Sequence, residues 1–551
     1  MMALLLATFI GIAVAGQAPA GQTAPKPDGQ APVFRAATRL VQVSVVVHDG
    51  HGQPVADLKK DEFTLIERGK PQQISFFSVA SSASPVNPPP PLPPHVFSNT
   101  LTQQAGVPPS VTIILLDLLN TSWTDQVYAR KALVRFLEQI QPQDRLAILT
   151  LGGGRLTVLH DYTTDASSLV AKVAKFKAQL LPELEASTVN PDSQQALADL
   201  GLDSFADAEQ RVADFYATGR VVNTLQALQA IAEHPTSLPG RKNLIWLSGG
   251  FPLTIGFDEM PAIGSTRDRR TFTAEMDAAI RALNDSGVAV YPVDARGLMT
   301  LPGFDASSRG TAGARGPTPG ARLAPIIANQ DTMRELADRT GGRAAYNTND
   351  LARAIRRAVD DSLVTYTLGY YSSDDTQDGK FRDIKIKVNR PHVDVRYRKG
   401  YFAFKPSDTG AQRRREEMRA AVWSPLDATA VGVNARVDFL DKPQPNTVNV
   451  IVQIDPATVR FTKDGDRWKA DLDIVYVQKD EQGATRGDGV AETINLALTQ
   501  ETYARVAAQG LIHQRSFPRQ AGAVNLRIVV RQASSGATGS LTIAFNKVPQ
   551  D

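Results

Sequence analysis

The stretch Val111–Thr121, VTIILLDLLNT, constrains the fold more than any other. A run of β-branched and aliphatic residues stops at one acid, Asp117, and small amide and hydroxyl residues follow. In an open α/β sheet, ligands gather at the carboxyl ends of strands, and an aspartate with hydroxyls there offers hard oxygens to a cation such as Mg²⁺. The competing reading is an aspartate that caps the next helix.

Further strands are expected at Leu146–Leu151, Leu244–Leu247 and Val288–Val293, each a short apolar run with turn signals after it. Over Asp125–Gln139, residues Val127, Ala132, Leu133, Phe136 and Leu137 recur at helical spacing. Other helices are expected after Val222, with Leu225, Leu228 and Ile231 on one face, and at Glu275–Asn284, Thr332–Thr340 and Leu351–Ser362. This alternation specifies an α/β domain over residues 109–365, a doubly wound, mainly parallel sheet wrapped by helices.

Two inserts decorate it. Leu180–Arg220 is acidic and helical in pattern, and Thr300–Pro319 is rich in Gly, Pro, Ala and Arg. Inserts on a rigid sheet are where binding specificity tends to reside, although either is equally readable as unselected surface loop. Arg267, Arg269 and Arg270 read as a solvated face, with an anionic partner as the alternative.

The flanks have strand period. In residues 34–80, Val41, Val43, Val45 and Val47 alternate, as do Phe63 and Leu65, which predicts a small antiparallel β module. Residues 81–108 contain NPPPPLPP, a stiff polyproline spacer. In residues 366–406 a β-hairpin extension is expected, with Val364–Tyr371 and Phe381–Val388 paired around DDTQDGK, whose Asp-Gly is a turn signal. A helical linker (407–426) leads into 427–551, where alternating segments such as VNVIVQID and VNLRIVVRQ suggest an Ig-like β-sandwich with Trp468 in its core rather than serving as a carbohydrate platform.

Composition narrows the setting. A chain of 551 residues should divide into about three or four domains. Its formal charge of +3 argues against a nucleic-acid footprint or a polybasic membrane patch. The absence of cysteine excludes disulfides, thiolate zinc sites, cysteine nucleophiles and a lipid-modified N-terminal cysteine. At the N-terminus, the apolar run Ala3–Val14 is too short for a stable anchor, and Ala13-Val14-Ala15 supplies a small-residue cleavage pattern. Residues 1–15 therefore read as a signal peptide, although no Lys or Arg precedes the apolar run, and 16–33 as a polar, disordered stretch. Secretion or a periplasmic location follows, with no transmembrane segment after cleavage.

Asp117 at the end of the first strand, the helix after it, PQDRLAIL, LIWLSGG and VAVYPVDARGL together resemble a von Willebrand factor A domain. More narrowly, with VVVHDGHGQPVADLKKDEFTLIERGKPQQISFF before them and YTLGYYSSDDTQDGKFRDIKIKVNRPHVDVRYRKGYFA after them, they resemble VWFA-related proteins of acidobacterial type. The resemblance covers about Val41–Phe404. It implies a metal-ion-dependent adhesion site whose first motif is Asp-x-Ser-x-Ser, matched here by Asp117 and Thr121, with Leu119 in place of the middle serine. A register shift onto Asn120 or Ser122 would restore an oxygen ligand. Thr224 in VVNTLQAL matches the second motif, and Ser248 in LSGG stands where the third has an aspartate. Asp117, Thr121 and Thr224, with Ser248 as a further hydroxyl, are thus the implied ligands of Mg²⁺ or another divalent cation. The alternative is a vestigial site in which Asp117 bonds loop amides. Asp294, also at a strand end, is expected to have a structural hydrogen-bonding role.

Signals for catalysis are thin. Ser248 follows a strand, but a nucleophile elbow needs glycine where Trp246 stands. Gly152-Gly153-Gly154 lacks a following Gly-Lys-Ser/Thr and reads as a turn. His48 and His51 share a turn, and no His-Glu-x-x-His occurs. The expectation is an exported, non-enzymatic, multidomain binding protein that meets a protein partner through the loop face of its A-like domain. The alternatives are a structural envelope scaffold with a vestigial site and, third, a hydrolase. The oligomeric state is not readable from the sequence.

Overall fold

In the computed structural model, Val111–Asp117 (β1) is the central strand of a five-stranded sheet and is buried at every position. The structure describes residues 40–549 apart from 82–91, 101–110, 190, 237, 239–240, 252–253, 256–269, 300–318, 375, 377, 405–410 and 441–445. The expected signal peptide and polar stretch, Arg267, Arg269, most of the polyproline run and most of the Gly/Arg-rich insert lie outside the described residues.

The other strands of this sheet are β2 (Leu146–Gly152), β3 (Arg155–Thr163), β4 (Lys242–Ser248) and β5 (Val288–Asp294). Their order is β5-β4-β1-β2-β3, parallel except for the edge strand β3. The β2–β3 hairpin turns at Gly153 and Gly154, both at positive φ, so the expectation of a turn there holds. Among the described residues eight helices carry the connections and inserts: α1 (Trp123–Leu137), α2 (Ala166–Lys175), α3 (Pro182–Ala186), α4 (Pro191–Asp199), α5 (Asp203–Glu233), α6 (Thr273–Asp285), α7 (Pro319–Thr340) and α8 (Leu351–Asp360).

Side chains of β1 alternate between two cores. Ile113 and Leu115 pack with Leu225, Leu228 and Ile231 of α5 and Met276 and Ile280 of α6, while Ile114 and Leu116 pack with Leu133 and Phe136 of α1 and Ile355 of α8. Each such buried side chain contributes roughly 1.5–3 kcal/mol, which is why a strand covered on both faces is apolar without a break. The acidic insert is helical, as its pattern suggested. Its last part is continuous with the core helix, making α5 31 residues long.

The flanking β segments combine in a way the local pattern did not reveal. Leu40–His48 pairs antiparallel with Val364–Tyr371, with Leu40 opposite Tyr371 and Val45 opposite Tyr366, so the segments before and after the α/β domain build one sandwich. The expected hairpin between Val364–Tyr371 and Phe381–Val388 does not form. Val364–Tyr371 is taken on both edges by Leu40–His48 and Ile74–Ser81, whereas Asp378–Val388 pairs with Phe63–Glu67 and Gly400–Phe404 in the opposite sheet. Tyr366, Leu368, Ile384 and Ile386 meet between the sheets, and burying them there outweighs the local turn preference of Asp-Gly.

The last region is a second antiparallel sandwich. Val433–Leu440, Thr447–Ile454 and Leu511–Pro518 form one sheet, and Arg467–Lys479, Asn525–Gln532 and Thr538–Ala544 the core of the other. The expected linker also contributes a strand, because Val96–Ser98 pairs with Val433–Leu440. Asn99 fixes it there, donating to Ala428 O (2.8 Å) and Val431 O (2.9 Å) and accepting from Val433 N (2.8 Å). Trp468 is half-buried, stacked on Tyr503 at 4.4 Å between ring centres. Among the described residues no helix is long and apolar enough to cross a membrane.

Candidate functional site

Because β1 and β4 are adjacent and parallel, with Leu116 beside Leu247, their carboxyl ends place Asp117 next to Ser248. The Asp117 carboxylate is buried and accepts four hydrogen bonds. Its Oδ2 receives the Ser248 hydroxyl (2.7 Å), Asn120 Nδ2 (2.8 Å) and the Trp246 indole N–H (3.0 Å), and its Oδ1 receives the Asn120 backbone N–H (3.1 Å). Asp117 does not cap the following helix; Ser122 does, accepting from Asp125 N.

The four implied ligands all converge here. Thr121 Oγ1 donates to Asp117 O (2.5 Å) and accepts from Gly249 N (3.1 Å). Ser248 Oγ also accepts from Gly250 N (2.9 Å). Thr224 reaches in from α5, its hydroxyl accepting from Asn120 Nδ2 (2.7 Å) and donating one turn back to Arg220 O (2.8 Å). Close approach of the two loops requires glycine at 249, where a Cβ would stand 2.5 Å from Asn120 O.

Two participants were missed from sequence. Arg220, one helical turn before Thr224, sends Nη1 to Asn120 Oδ1 (2.8 Å) and to Leu119 O (3.5 Å), and it is itself 9% exposed. Trp246 was weighed only as a mismatch to a nucleophile elbow, and it supplies a donor to the acid. An arginine four residues before the expected threonine was the available signal, because such spacing puts both on one helix face.

Burial pushes the Asp117 carboxyl above its ordinary range, opposed by the bonds from Asn120, Ser248 and Trp246. Burial likewise lowers Arg220, opposed by the charge of Asp117. As arranged, the donor set does not fit a divalent cation. Only one carboxylate is present, Oδ2 is occupied by three donors, each hydroxyl is engaged twice, and a guanidinium sits on the Asn120 oxygen that could have replaced the missing serine. Among the described residues no group of three or more His, Asp or Glu side chains is placed to hold a metal. Ser248 is wholly buried, and its hydroxyl donates to the Asp117 carboxylate and not to a histidine.

Just outside the network the loop face changes character. Trp123 and Leu180 are 48% and 68% exposed and rim an open cleft of about 380 Å³ with Thr121, Gln179, Leu181 and Leu184. Gln126 ties the rim together, donating to Thr121 O (2.8 Å) and Gln179 O (3.0 Å) and accepting from Gln179 N (2.9 Å). Asp294 faces inward, held by the Arg296 guanidinium through two bonds of 2.8 Å, in the structural role expected of it.

No protein-family model matches the chain, and no curated protein sequence does. Among solved structures it is similar to the VWA domain of SpRpn10, at 10% identity over 45% of this chain and 94% of that one, with a TM-score of 0.23. It is also similar to proximal thread matrix protein 1 from the mussel byssus, at 9% identity and a TM-score of 0.24, covering 48% of each chain, so this chain spans about half of that protein. The pilus adhesin SpaC from Lactobacillus rhamnosus GG, in its open conformation, matches at 8% identity over 86% of this chain and 70% of that one, with a TM-score of 0.27. The likeness is distant, and one of the matched structures is a von Willebrand factor A domain.

Proposed function

We propose that this chain is an exported, non-catalytic binding protein that meets a protein partner through the loop face of its central sheet, without a bound cation. The observation that carries the reading is the contrast at Thr121: inside it the Asp117 carboxylate, the Asn120 amide, the Trp246 indole and the hydroxyls of Thr121, Thr224 and Ser248 are all hydrogen-bonded within the protein, and outside it Trp123 and Leu180 stand exposed beside a cleft. In this reading Asp117 and Arg220 brace the loops, and recognition is by the apolar rim. A partly exposed tryptophan at the edge of a cleft is the kind of anchor that dominates protein interfaces. The apolar segment Ala3–Val14 supports export.

The test is capture of partners from envelope extracts by the full chain, with and without chelator, and with Trp123→Ser and Leu180→Ser variants. Retention in chelator and loss in Trp123→Ser is the expected result. Loss in chelator, together with heat on titrating Mg²⁺, Mn²⁺ or Ca²⁺ that disappears in Asp117→Ala, would instead establish a cation-dependent site. Labelling of Ser248 by a fluorophosphonate would overturn the non-catalytic reading.

A further inference from the structure

The acidic insert does not only lead into the core. Leu202, at the N-terminal boundary of α5, and Phe205, Val212, Phe215 and Tyr216 within it are 38%, 65%, 53%, 72% and 36% exposed, and Leu200 just before is 73% exposed. Phe205, Val212 and Tyr216 are spaced by seven and four residues and so lie along one stripe of the helix, with Phe215 beside them. α3 and α4 pack on α5 as well, yet they leave this stripe open. Its large apolar side chains are buried against the sheet in its second half, from Val221 through Leu225, Leu228 and Ile231, whereas in the first half it is the small Ala213 that is buried. A contiguous exposed stripe of three aromatic rings, a tyrosine included, and aliphatic side chains is uncommon on a soluble surface unless something covers it.

The charge around the stripe selects what that is. Residues 182–219 contain eight acids and one base, Arg211, in a chain whose formal net charge is +3. A second copy laid face to face on the same stripe would bring acid against acid, because a two-fold contact pairs each patch with itself. An anionic membrane surface would repel it for the same reason. A segment combining apolar side chains with lysine or arginine satisfies both features, burying its apolar face on the stripe and its charges beside the acids.

We infer that the first half of α5 is a docking surface for a cationic, amphipathic segment of a partner protein. The inference deepens the binding role proposed above and rests on it. Since α5 also carries Arg220 and Thr224, the docked segment would lie on the same rigid element that braces the Asp117 loop.

The experiment uses the full chain and fluorescent peptides of leucine with lysine, and of leucine with glutamate, both in helical period. The lysine peptide is expected to bind, more weakly as salt is raised, and the glutamate peptide to show no binding. Phe205→Ser/Phe215→Ser should weaken the lysine peptide at least about tenfold, as loss of central aromatic anchors does. Asp203→Asn/Asp207→Asn/Glu209→Gln should weaken it and flatten its salt dependence. All these positions lie on the insert surface, and an unchanged thermal unfolding curve shows that the variants fold. Equal binding of both peptides, or lysine-peptide binding indifferent to Phe205→Ser/Phe215→Ser, overturns the inference. So does self-association in sedimentation velocity that Phe215→Ser abolishes, or partition onto phosphatidylserine vesicles. Trp123→Ser separates the two readings: it should abolish capture at the cleft and leave lysine-peptide affinity intact.

Discussion

Asp117 shows how a single residue type takes its role from its donors. A carboxylate with three donors on one oxygen is held by the protein as it would otherwise be held by an ion. Replacing it with alanine leaves the Ser248 hydroxyl, the Trp246 indole and the Asn120 amide without their acceptor, and a loss of about 3–5 kcal/mol is expected in urea unfolding. Asparagine retains one acceptor and should cost less, about 1–3 kcal/mol. The folded carboxyl titrates above its unfolded value, so its favourable share is fully present below about pH 4 and is lost as pH rises through the folded value. The stability gap between wild type and Asp117→Asn should therefore be widest in acid and shrink toward neutrality. Lys242 is the opposite case. Burial brings its ammonium down to about 8 while Nζ donates to Ser286 O at 2.8 Å. The unfolded chain then binds the extra proton between pH 8 and about 10.5, so stability should rise across that window. Lys242→Met is expected to add about 1–3 kcal/mol at pH 7 and little near pH 10, read from urea midpoints at both.

At the scale of elements, the site is a junction of three: the loop after β1, the loop after β4 and the middle of α5. Gly249 sets how closely the first two approach, and Gly249→Ala should cost about 2–4 kcal/mol because the obstacle is the backbone oxygen of Asn120, which cannot rotate away. Unfolding midpoints of that variant, with Gly219→Ala as a control for a glycine at ordinary φ whose added Cβ meets nothing within 4 Å, would check it. Strands and helices of the central domain were legible because their apolar periods are local. The hairpin after it was misread for the same reason: Asp378-Gly379 carries a turn signal, but a turn residue cannot report that both edges of Val364–Tyr371 are already taken.

Over the whole molecule, the two β regions are assembled from distant segments. Tyr366 illustrates the dependence, wholly buried and bonded through its hydroxyl to Val55 O (2.8 Å) and from Leu58 N (3.1 Å), both contributed by the chain before the α/β domain. A chain lacking residues 40–81 should lose the first sandwich while keeping the central sheet. Hydrogen exchange would then show Val364–Tyr371 unprotected and β1 and β4 still slow, whereas equal loss in both would mean that the sandwich is needed for the α/β domain to fold. The second sandwich meets the α/β domain directly, Thr429 donating to His234 O at 2.8 Å and Leu426 joining the core beneath α5, so it is fixed to the sheet and not tethered to it.

By itself the amino-acid sequence determined the alternating α/β core, the strand-end position of Asp117, the convergence candidates Thr121, Thr224 and Ser248, and the β character of the flanks. These follow from residue type and short-range period, which act within a few turns or a few strand residues. Only the tertiary structure decided that Arg220 and Trp246 close the network, that the linker donates a strand at Val96–Ser98, and that Leu40–His48 pairs with Val364–Tyr371. Those outcomes depend on which apolar faces and unsatisfied donors meet after the chain has closed loops of roughly one hundred to more than three hundred residues. Closing a longer loop adds little further entropy cost, so the choice among partners is left to packing and hydrogen bonding.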